Sequence, residues 1–243
     1  MAAVTLLSTE KLERSFGGLK AVGGVDFSLD AGEIRAVIGP NGAGKTTFVS
    51  LISGRIAPSG GRIVFEGEDI TALPAFRRVR RGIAYTFQIT SIYANLSVAD
   101  NVALAAQSGI RTGRGGGGPV VATRTATALE RVGLADRRDQ VAGTLAYGHQ
   151  RLLEVAMGLA LEPKLLILDE PTQGLSDGEI EGFCDLVRSI ARDATVLLIE
   201  HNMGVVMRLA DRITVLDRGL VLAEGKPAEI RADERVQKAY LGT

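Results

Sequence analysis

The segment from Gly39 to Thr47 has the residue types and spacing of a loop that binds phosphate groups. It reads Gly-Pro-Asn-Gly-Ala-Gly-Lys-Thr-Thr and fits the pattern G-x-x-x-x-G-K-[ST]. Glycines allow successive backbone N–H groups to converge on a polyphosphate, and the start of a following helix adds positive potential. Lys45 supplies a cation for the β- and γ-phosphates, and the Thr46 hydroxyl suits Mg²⁺. A glycine-rich turn without a ligand is the alternative. The candidate contacts to a nucleoside triphosphate are Gly39, Pro40, Asn41, Gly42, Ala43, Gly44, Lys45, Thr46 and Thr47.

A pair of acids, Asp169 and Glu170, follows the apolar run Leu165–Leu168. Such a run predicts a buried parallel strand, and open α/β sheets bind ligands at the carboxyl ends of their strands. Asp169 can hold Mg²⁺ through water, and Glu170 can accept a proton from an attacking water. His201 follows a second run, Thr195–Ile199, and could sense a terminal phosphate from the same edge. Two solvated acids are the alternative for this motif alone, but the upstream phosphate loop favours catalysis.

Strands and helices that alternate along the chain must position these groups. Ile34–Ile38 is predicted as the strand before the loop, and Thr46–Ile52 as the helix after it, ended by Gly54. Ser176 and Glu179 have the spacing of a capping box at the start of a further helix. The fold class expected from this order is α/β.

The remaining segments are predicted to surround this core. Residues 93–162 read as a helical insert, which includes a helix at Gln150–Leu161 and a flexible loop at Arg111–Pro119. Near the start of the chain, Lys11–Phe16 and Val25–Leu29 read as strands, punctuated by glycine pairs that include Gly23-Gly24. The basic cluster of Arg77, Arg78, Arg80 and Arg81 reads as a solvated helix face.

Composition limits the classes of protein that the chain can represent. Its 243 residues allow one large domain, and 28 basic against 28 acidic residues give no net field toward nucleic acid or anionic lipid. The apolar runs are too short to span a bilayer, and the first ten residues lack the basic start of a signal peptide. Cys184 is the only cysteine, which fits a reducing cytoplasm.

The order of the motifs resembles the ATP-binding subunit of ABC transporters, over nearly the whole chain. The resemblance rests on the phosphate loop, on Gln88, on Leu145–Arg151, on Leu165–Thr172 and on His201. It implies one ABC-type ATP-binding domain over residues 1–243, with a P-loop NTPase (RecA-like) core, an N-terminal antiparallel β subdomain and the inserted α-helical subdomain.

The resemblance also implies roles for individual residues. Glu170, His201 and Gln88 would be catalytic, and Mg²⁺ would be held by Thr46, Gln88 and, through water, Asp169. Phe16 would stack on the adenine with Val22 beside it, although composition alone favours core packing for Phe16. The signature segment of one subunit would contact the ATP of the facing subunit. Its residues here are Ala146, Tyr147, Gly148 and His149.

This signature segment departs from the usual Leu-Ser-Gly-Gly-Gln. Ala146 replaces a serine whose hydroxyl would meet the γ-phosphate, Tyr147 replaces a glycine, and His149 replaces a glutamine. The loop after Glu170 has Gly174-Leu175-Ser176 where Ala-Leu-Asp is usual. Together with Thr86-Phe87-Gln88 and the segments 198–203 and 235–242, these departures make the chain resemble the ATP-binding subunits of branched-chain amino acid importers.

The resemblance implies an energy-coupling ATPase that works as a homodimer, or as a heterodimer with a paralogue. Its partners would be transmembrane permease subunits and, indirectly, a substrate-binding protein, with no nucleic acid. The location would be cytoplasmic, on the inner face of the membrane. The alternatives are a urea or amide importer, a lipopolysaccharide exporter, a soluble nucleic-acid-associated ATPase, or a regulatory module that binds ATP without hydrolysing it.

Overall fold

The computed structural model describes residues 4–86, 91–109 and 117–241, and it has the predicted α/β architecture of two sheets with packed helices. The strands are β1 (Thr5–Phe16), β2 (Leu19–Asp30), β3 (Ile34–Ile38), β4 (Gly60–Phe65), β5 (Glu68–Asp69), β6 (Ile83–Tyr85), β7 (Leu165–Asp169), β8 (Thr195–Ile199), β9 (Arg212–Asp217) and β10 (Leu220–Gly225). The helices are α1 (Lys45–Ser53), α2 (Ala75–Val79), α3 (Val98–Gly109), α4 (Gly117–Arg131), α5 (Tyr147–Leu159), α6 (Asp177–Ile190), α7 (Met203–Leu209), α8 (Pro227–Ala232) and α9 (Glu234–Leu241).

The larger sheet has the strand order β10-β9-β3-β8-β7-β6. All neighbouring strands are parallel except β10, which pairs antiparallel with β9. Every residue of β3, β7 and β8 is buried. Along β7, Leu165 and Ile167 pack into the core shared with α1, whereas Leu166 and Leu168 pack against α5 and α6. Layers on both faces explain why these strands are continuous apolar runs in the sequence.

The smaller sheet is antiparallel, with the order β2-β1-β4-β5, and its strands are longer than the predicted segments. Gly23-Gly24, predicted as a turn, lies inside β2. The register shifts there between the pairs Leu12–Val25 and Glu13–Gly23, and Gly24 has φ 97°. A β-bulge accommodates one extra residue and bends the strand without ending it. The glycine pair therefore marks a bulge.

Three helices, α3, α4 and α5, follow β6 and precede β7, and they share one buried core. Helix α5 begins three residues before the predicted Gln150. Gly117–Pro119 form the first turn of α4, where a loop was expected, and residues 111–116 lie outside the described ranges. The bounds 93–162 of the insert stay a prediction. In the part of the chain that is described, no helix is long and apolar enough to cross a membrane.

Arg78 contradicts the prediction of a solvated basic face, because it is only 1% exposed. Its Nη1 donates to the carbonyls of Leu51 and Ile52 at 2.7 and 2.8 Å. Its Nε donates to Leu73 O at 2.9 Å, and its Nη2 donates to Thr71 O at 3.0 Å. The carbonyls at a helix C-terminus lack intrahelical partners, so this guanidinium completes the end of α1. Burial lowers the pKa of Arg78 to about 10, which leaves it charged at neutral pH.

The variant Arg78→Lys is expected to lower the free energy of unfolding by about 3 kcal/mol or more, because one ammonium cannot reach four separate carbonyls. Urea unfolding followed by circular dichroism measures the loss. Arg77 is exposed on the same helix, and Arg77→Lys is the matched control with an expected change of about 0.5 kcal/mol or less. Equal losses in the two variants would contradict the assignment of Arg78 as a buried cap.

Candidate functional site

Three neighbouring strands of the larger sheet end at one edge and carry the predicted reactive groups there. The phosphate loop, residues 39–47, follows β3, and His201 lies just beyond β8. Asp169 ends β7, and the order β3-β8-β7 places these ends side by side. The carboxyl edge of a parallel sheet is the usual place for a ligand. The structure thus brings together the two centres that the sequence predicted separately.

Close packing forces glycine at two positions of the phosphate loop. A Cβ atom on Gly39 would lie 2.1 Å from Leu216 O, and one on Gly44 would lie 2.3 Å from Ala21 O. Both residues also have positive φ, 152° and 97°. The loop backbone is therefore pressed against β9 and β2, and no side chain at either position could fit between them.

Lys45 is buried beneath the loop, with 6% of its surface exposed. Its Nζ donates to Gly39 O at 2.7 Å and to Pro40 O at 3.0 Å. Burial lowers the pKa of Lys45, and the nearby charges of Glu170 and Asp169 oppose that shift. An ammonium has three donors, so one remains for a phosphate oxygen.

Helix α1 begins within the phosphate loop, at Lys45, and its N-cap Gly44 has no side chain to accept a hydrogen bond. The backbone N–H groups of its first turn lack intrahelical acceptors and attract anions. Thr46 is exposed in this turn, and Thr47 is half-buried. Ala43 O accepts a hydrogen bond from Gly219 N at 3.0 Å, which ties the loop to the turn between β9 and β10. This bond, like the close contacts at Gly39 and Gly44, fixes the position of the loop backbone.

Asp169 has one carboxylate oxygen satisfied and one orphaned. Its Oδ2 accepts from the Tyr85 hydroxyl at 2.5 Å, and that hydroxyl accepts from Arg55 Nη1 at 3.2 Å. Its Oδ1 is buried and has no hydrogen-bond partner among the described residues. Burial raises the pKa of Asp169. A buried orphaned carboxylate oxygen beside a phosphate loop fits Mg²⁺ or a water bound to it. Gln88, the other predicted magnesium residue, lies outside the described residues.

Glu170 and His201, two of the predicted catalytic residues, lie side by side in the structure. His201 Nε2 lies 2.7 Å from Glu170 Oε1, within hydrogen-bond distance. Glu170 is 9% exposed and has φ 50°, and its N–H donates to Ile199 O at 2.9 Å. A non-glycine residue in this conformation stores about 1–3 kcal/mol of strain, as residues at functional sites often do. The arrangement sets a carboxylate base beside an imidazole.

The signature segment contacts the loop after β7. Ala146 is the N-cap of α5, and its side chain accepts no hydrogen bond from the first turn of that helix. The Tyr147 ring lies against Gly174, where a Cβ atom would be only 2.9 Å from Tyr147 Cε1. The two departures from the usual family pattern therefore fit each other, because the bulky tyrosine takes the space that an alanine at position 174 would need.

The next residues of α5 pack against the start of α6. A Cβ atom on Gly148 would lie 2.1 Å from Glu179 Oε1, so a larger residue there would force the Glu179 side chain to move. Glu179 Oε2 accepts from the backbone N and the Oγ of Ser176, at 2.8 and 2.6 Å. These bonds lower the pKa of Glu179 and form the predicted return bond of the capping box. His149 is half-buried on this turn.

The two candidates for the adenine differ in exposure. Phe16 is 46% exposed, with the Arg14 guanidinium 4.6 Å from its ring centroid. Val22 is 1% exposed and packs in the core of the smaller sheet. Phe16 therefore offers an exposed aromatic surface on which a base could stack, whereas Val22 exposes almost no surface to a ligand.

Sequence reasoning missed two residues of this site. Tyr85 ends β6 beside β7 and bonds Asp169. Glu200 is buried and accepts hydrogen bonds from Thr172 and from the backbone of His201. The sequence did contain a signal for Glu200, because it is an acid at the end of a buried strand, and this pattern is what identified Asp169.

Comparisons with known proteins agree with this geometry. Residues 22–173 match the family model described as ABC transporter, and residues 221–243 match one described as branched-chain amino acid ATP-binding cassette transporter. The chain is 38% identical to the high-affinity branched-chain amino acid transport ATP-binding protein LivG of Escherichia coli (strain K12), over 98% of each chain. It is 37% identical to the corresponding protein BraF of Pseudomonas aeruginosa, again over 98% of each chain.

A solved structure confirms the predicted fold class. The ADP conformation of MJ1267, an ATP-binding cassette of an ABC transporter, matches with a TM-score of 0.88 and 28% identity. The match covers 99% of this chain and 100% of that one. The chain therefore belongs to the ABC transporter family, as one of its ATP-binding cassettes.

Proposed function

We propose that this cassette hydrolyses ATP to supply the energy for import of branched-chain amino acids. The observation that carries the proposal is the meeting, at one sheet edge, of the phosphate loop and the pair Glu170–His201, whose side chains are 2.7 Å apart. The substrate class is supported by what the relatives LivG and BraF are described as transporting, and by the family matched at residues 221–243.

Each residue at this edge of the sheet has a separate role in ATP hydrolysis. Lys45 and the first turn of α1 hold the β- and γ-phosphates, and Phe16 stacks on the adenine. Thr46, Gln88 and, through water, Asp169 would hold Mg²⁺, which would supply positive charge to the phosphate oxygens. Glu170 takes a proton from the water whose oxygen bonds to the γ-phosphorus, while the bond from that phosphorus to ADP breaks. His201 contacts the γ-phosphate and keeps the Glu170 carboxylate in place.

Two cassettes are proposed to enclose two ATP molecules. The signature residues 146–149 at the start of α5 would face the partner's γ-phosphate with backbone N–H groups and the helix dipole. Ala146 lacks the usual hydroxyl, and a neutral hydrogen bond contributes about 0.5–1.5 kcal/mol, so the dimer is weakened without being lost. The partner is a second copy or a paralogue. The helical insert and Gln88 would meet the permease subunits, which hold the cassette on the inner face of the membrane.

Transport assays separate this proposal from the alternatives. Deleting the gene in cells that carry it is expected to abolish uptake of labelled leucine, isoleucine and valine, and to leave uptake of labelled urea unchanged. The wild-type gene restores leucine uptake, whereas a gene encoding Glu170→Gln does not. Loss of urea uptake with normal leucine uptake would assign the chain to an amide importer.

A further inference from the structure

We propose that Glu200 is a positioning residue for ATP hydrolysis, because its buried carboxylate ties the loop after β7 to the loop after β8. The inference deepens the proposed function and rests on it. The loop after β7 begins with Glu170, and the loop after β8 contains His201. A residue that fixes one loop to the other fixes the distance between the two reactive side chains.

Four donors surround the Glu200 carboxylate, which is 3% exposed. Its Oε1 accepts from Thr172 N at 3.1 Å and from the Thr172 hydroxyl. Its Oε2 accepts from His201 N at 2.8 Å and from Asn202 N at 3.0 Å. Thr172 is itself 5% exposed, so both sides of the bridge are shielded from water. One carboxylate thus joins the two loops through three backbone N–H groups and one hydroxyl.

The bridge acts on both members of the reactive pair. Thr172 lies two residues after Glu170, whose own N–H is anchored to Ile199 O at 2.9 Å. The His201 backbone is bound directly to Glu200, and the next residue, Asn202, accepts from two N–H groups in the first turn of α7. The backbone of each reactive residue is therefore held from two sides, and only their side chains remain to meet the phosphate.

A carboxylate is the group that this arrangement requires. It accepts at both oxygens, and all three backbone partners of Glu200 can only donate. The amide of glutamine has the same shape, but its NH₂ must face at least one backbone N–H. That donor is then buried without an acceptor, and the loop carrying it shifts. Glu200→Gln therefore changes the placement of the loops with little change in volume.

Steady-state kinetics of the Glu200→Gln variant test the proposal. The expected result is a fall in kcat of about tenfold or more, since misplacing a reacting group by about 1 Å can cost on the order of 10²-fold. KM and the affinity for ATP should stay as in the wild type, because the phosphate loop is untouched. Thr172→Val removes only the hydroxyl contact and should give a smaller fall in kcat. If Glu200→Gln folds poorly, Thr172→Val carries the same test.

A double-mutant cycle distinguishes positioning from a general loss of stability. In a His201→Ala background, Glu200→Gln should cost less than it does in the wild type, because one of the two side chains that it positions is already absent. An equal loss in both backgrounds, or a wild-type kcat for Glu200→Gln, would overturn the role of Glu200. A wild-type rate for Glu170→Gln would instead overturn the proposed function, and the role of Glu200 with it.

Discussion

Glu170→Gln is expected to lower the rate of ATP hydrolysis by about 10²–10⁴-fold, the contribution typical of a general base. The amide keeps the shape of the side chain and can still meet His201 Nε2 across the 2.7 Å contact, but it cannot take a proton from water. Phosphate release at saturating ATP and Mg²⁺ measures the loss.

The same variant separates binding from hydrolysis. The phosphate loop is unchanged in Glu170→Gln, so ATP affinity should remain and an ATP-bound dimer should accumulate, which light scattering after size exclusion detects. Glu181→Gln is the matched control, because Glu181 is an exposed acid on α6 outside the site. It should hydrolyse ATP at the wild-type rate. An unchanged rate for Glu170→Gln would remove Glu170 from the reaction.

The sheet edge could be predicted from the sequence because its strands are covered on both faces. β7 and β8 are apolar at successive positions until the sheet ends, so the first polar residue after each run marks the edge. This rule identifies Asp169 at the end of β7, and His201 is the second residue after β8. The phosphate loop was readable for a different reason, since its glycines are fixed by contacts as close as 2.1 Å to Leu216 and 2.3 Å to Ala21.

Buried charge could not be predicted in this way. Arg78 lies in a basic run typical of a solvated face, and its burial depends on carbonyls of α1 that are 26 and 27 residues away in sequence. The place of Glu200 directly after a buried strand can be read from the sequence, but its contact with Thr172, 28 residues away, cannot. A sequence pattern records the spacing of apolar residues, but it does not record which distant backbone groups need a partner. Such residues become recognisable only when the donors and acceptors around them are known.

The signature segment shows the same limit. In the sequence, Tyr147 and Gly174 are two separate departures from the family pattern. In the structure the tyrosine ring occupies the space that a Cβ at position 174 would fill. The two residues are distant in sequence but in contact in the fold. The reason for each departure is therefore visible only when the other residue is known.

Lys45→Ala is expected to weaken ATP binding by at least about 100-fold. The hydrogen bond from the remaining Lys45 donor joins two charged groups and contributes about 1.5–3 kcal/mol, and the attraction between the ammonium and the rest of the polyphosphate is lost with it. Titration of the protein with ATP and Mg²⁺ in a calorimeter measures the affinity directly. Lys164→Ala is the matched control, because that lysine pairs with Glu66 at 2.5 Å and its side chain is 54% exposed. Its affinity for ATP should equal that of the wild type.

The loss in Lys45→Ala should be one of binding, with little effect on folding. Burial already lowers the pKa of Lys45, so the charged ammonium is costly to keep in the protein without nucleotide. Removing it also removes the donor to Gly39 O and Pro40 O, and the two effects on stability oppose each other. The Tm of the nucleotide-free variant should therefore stay close to that of the wild type, while the rise in Tm on adding ATP disappears. Undiminished affinity for ATP would show that Lys45 does not contact the phosphates.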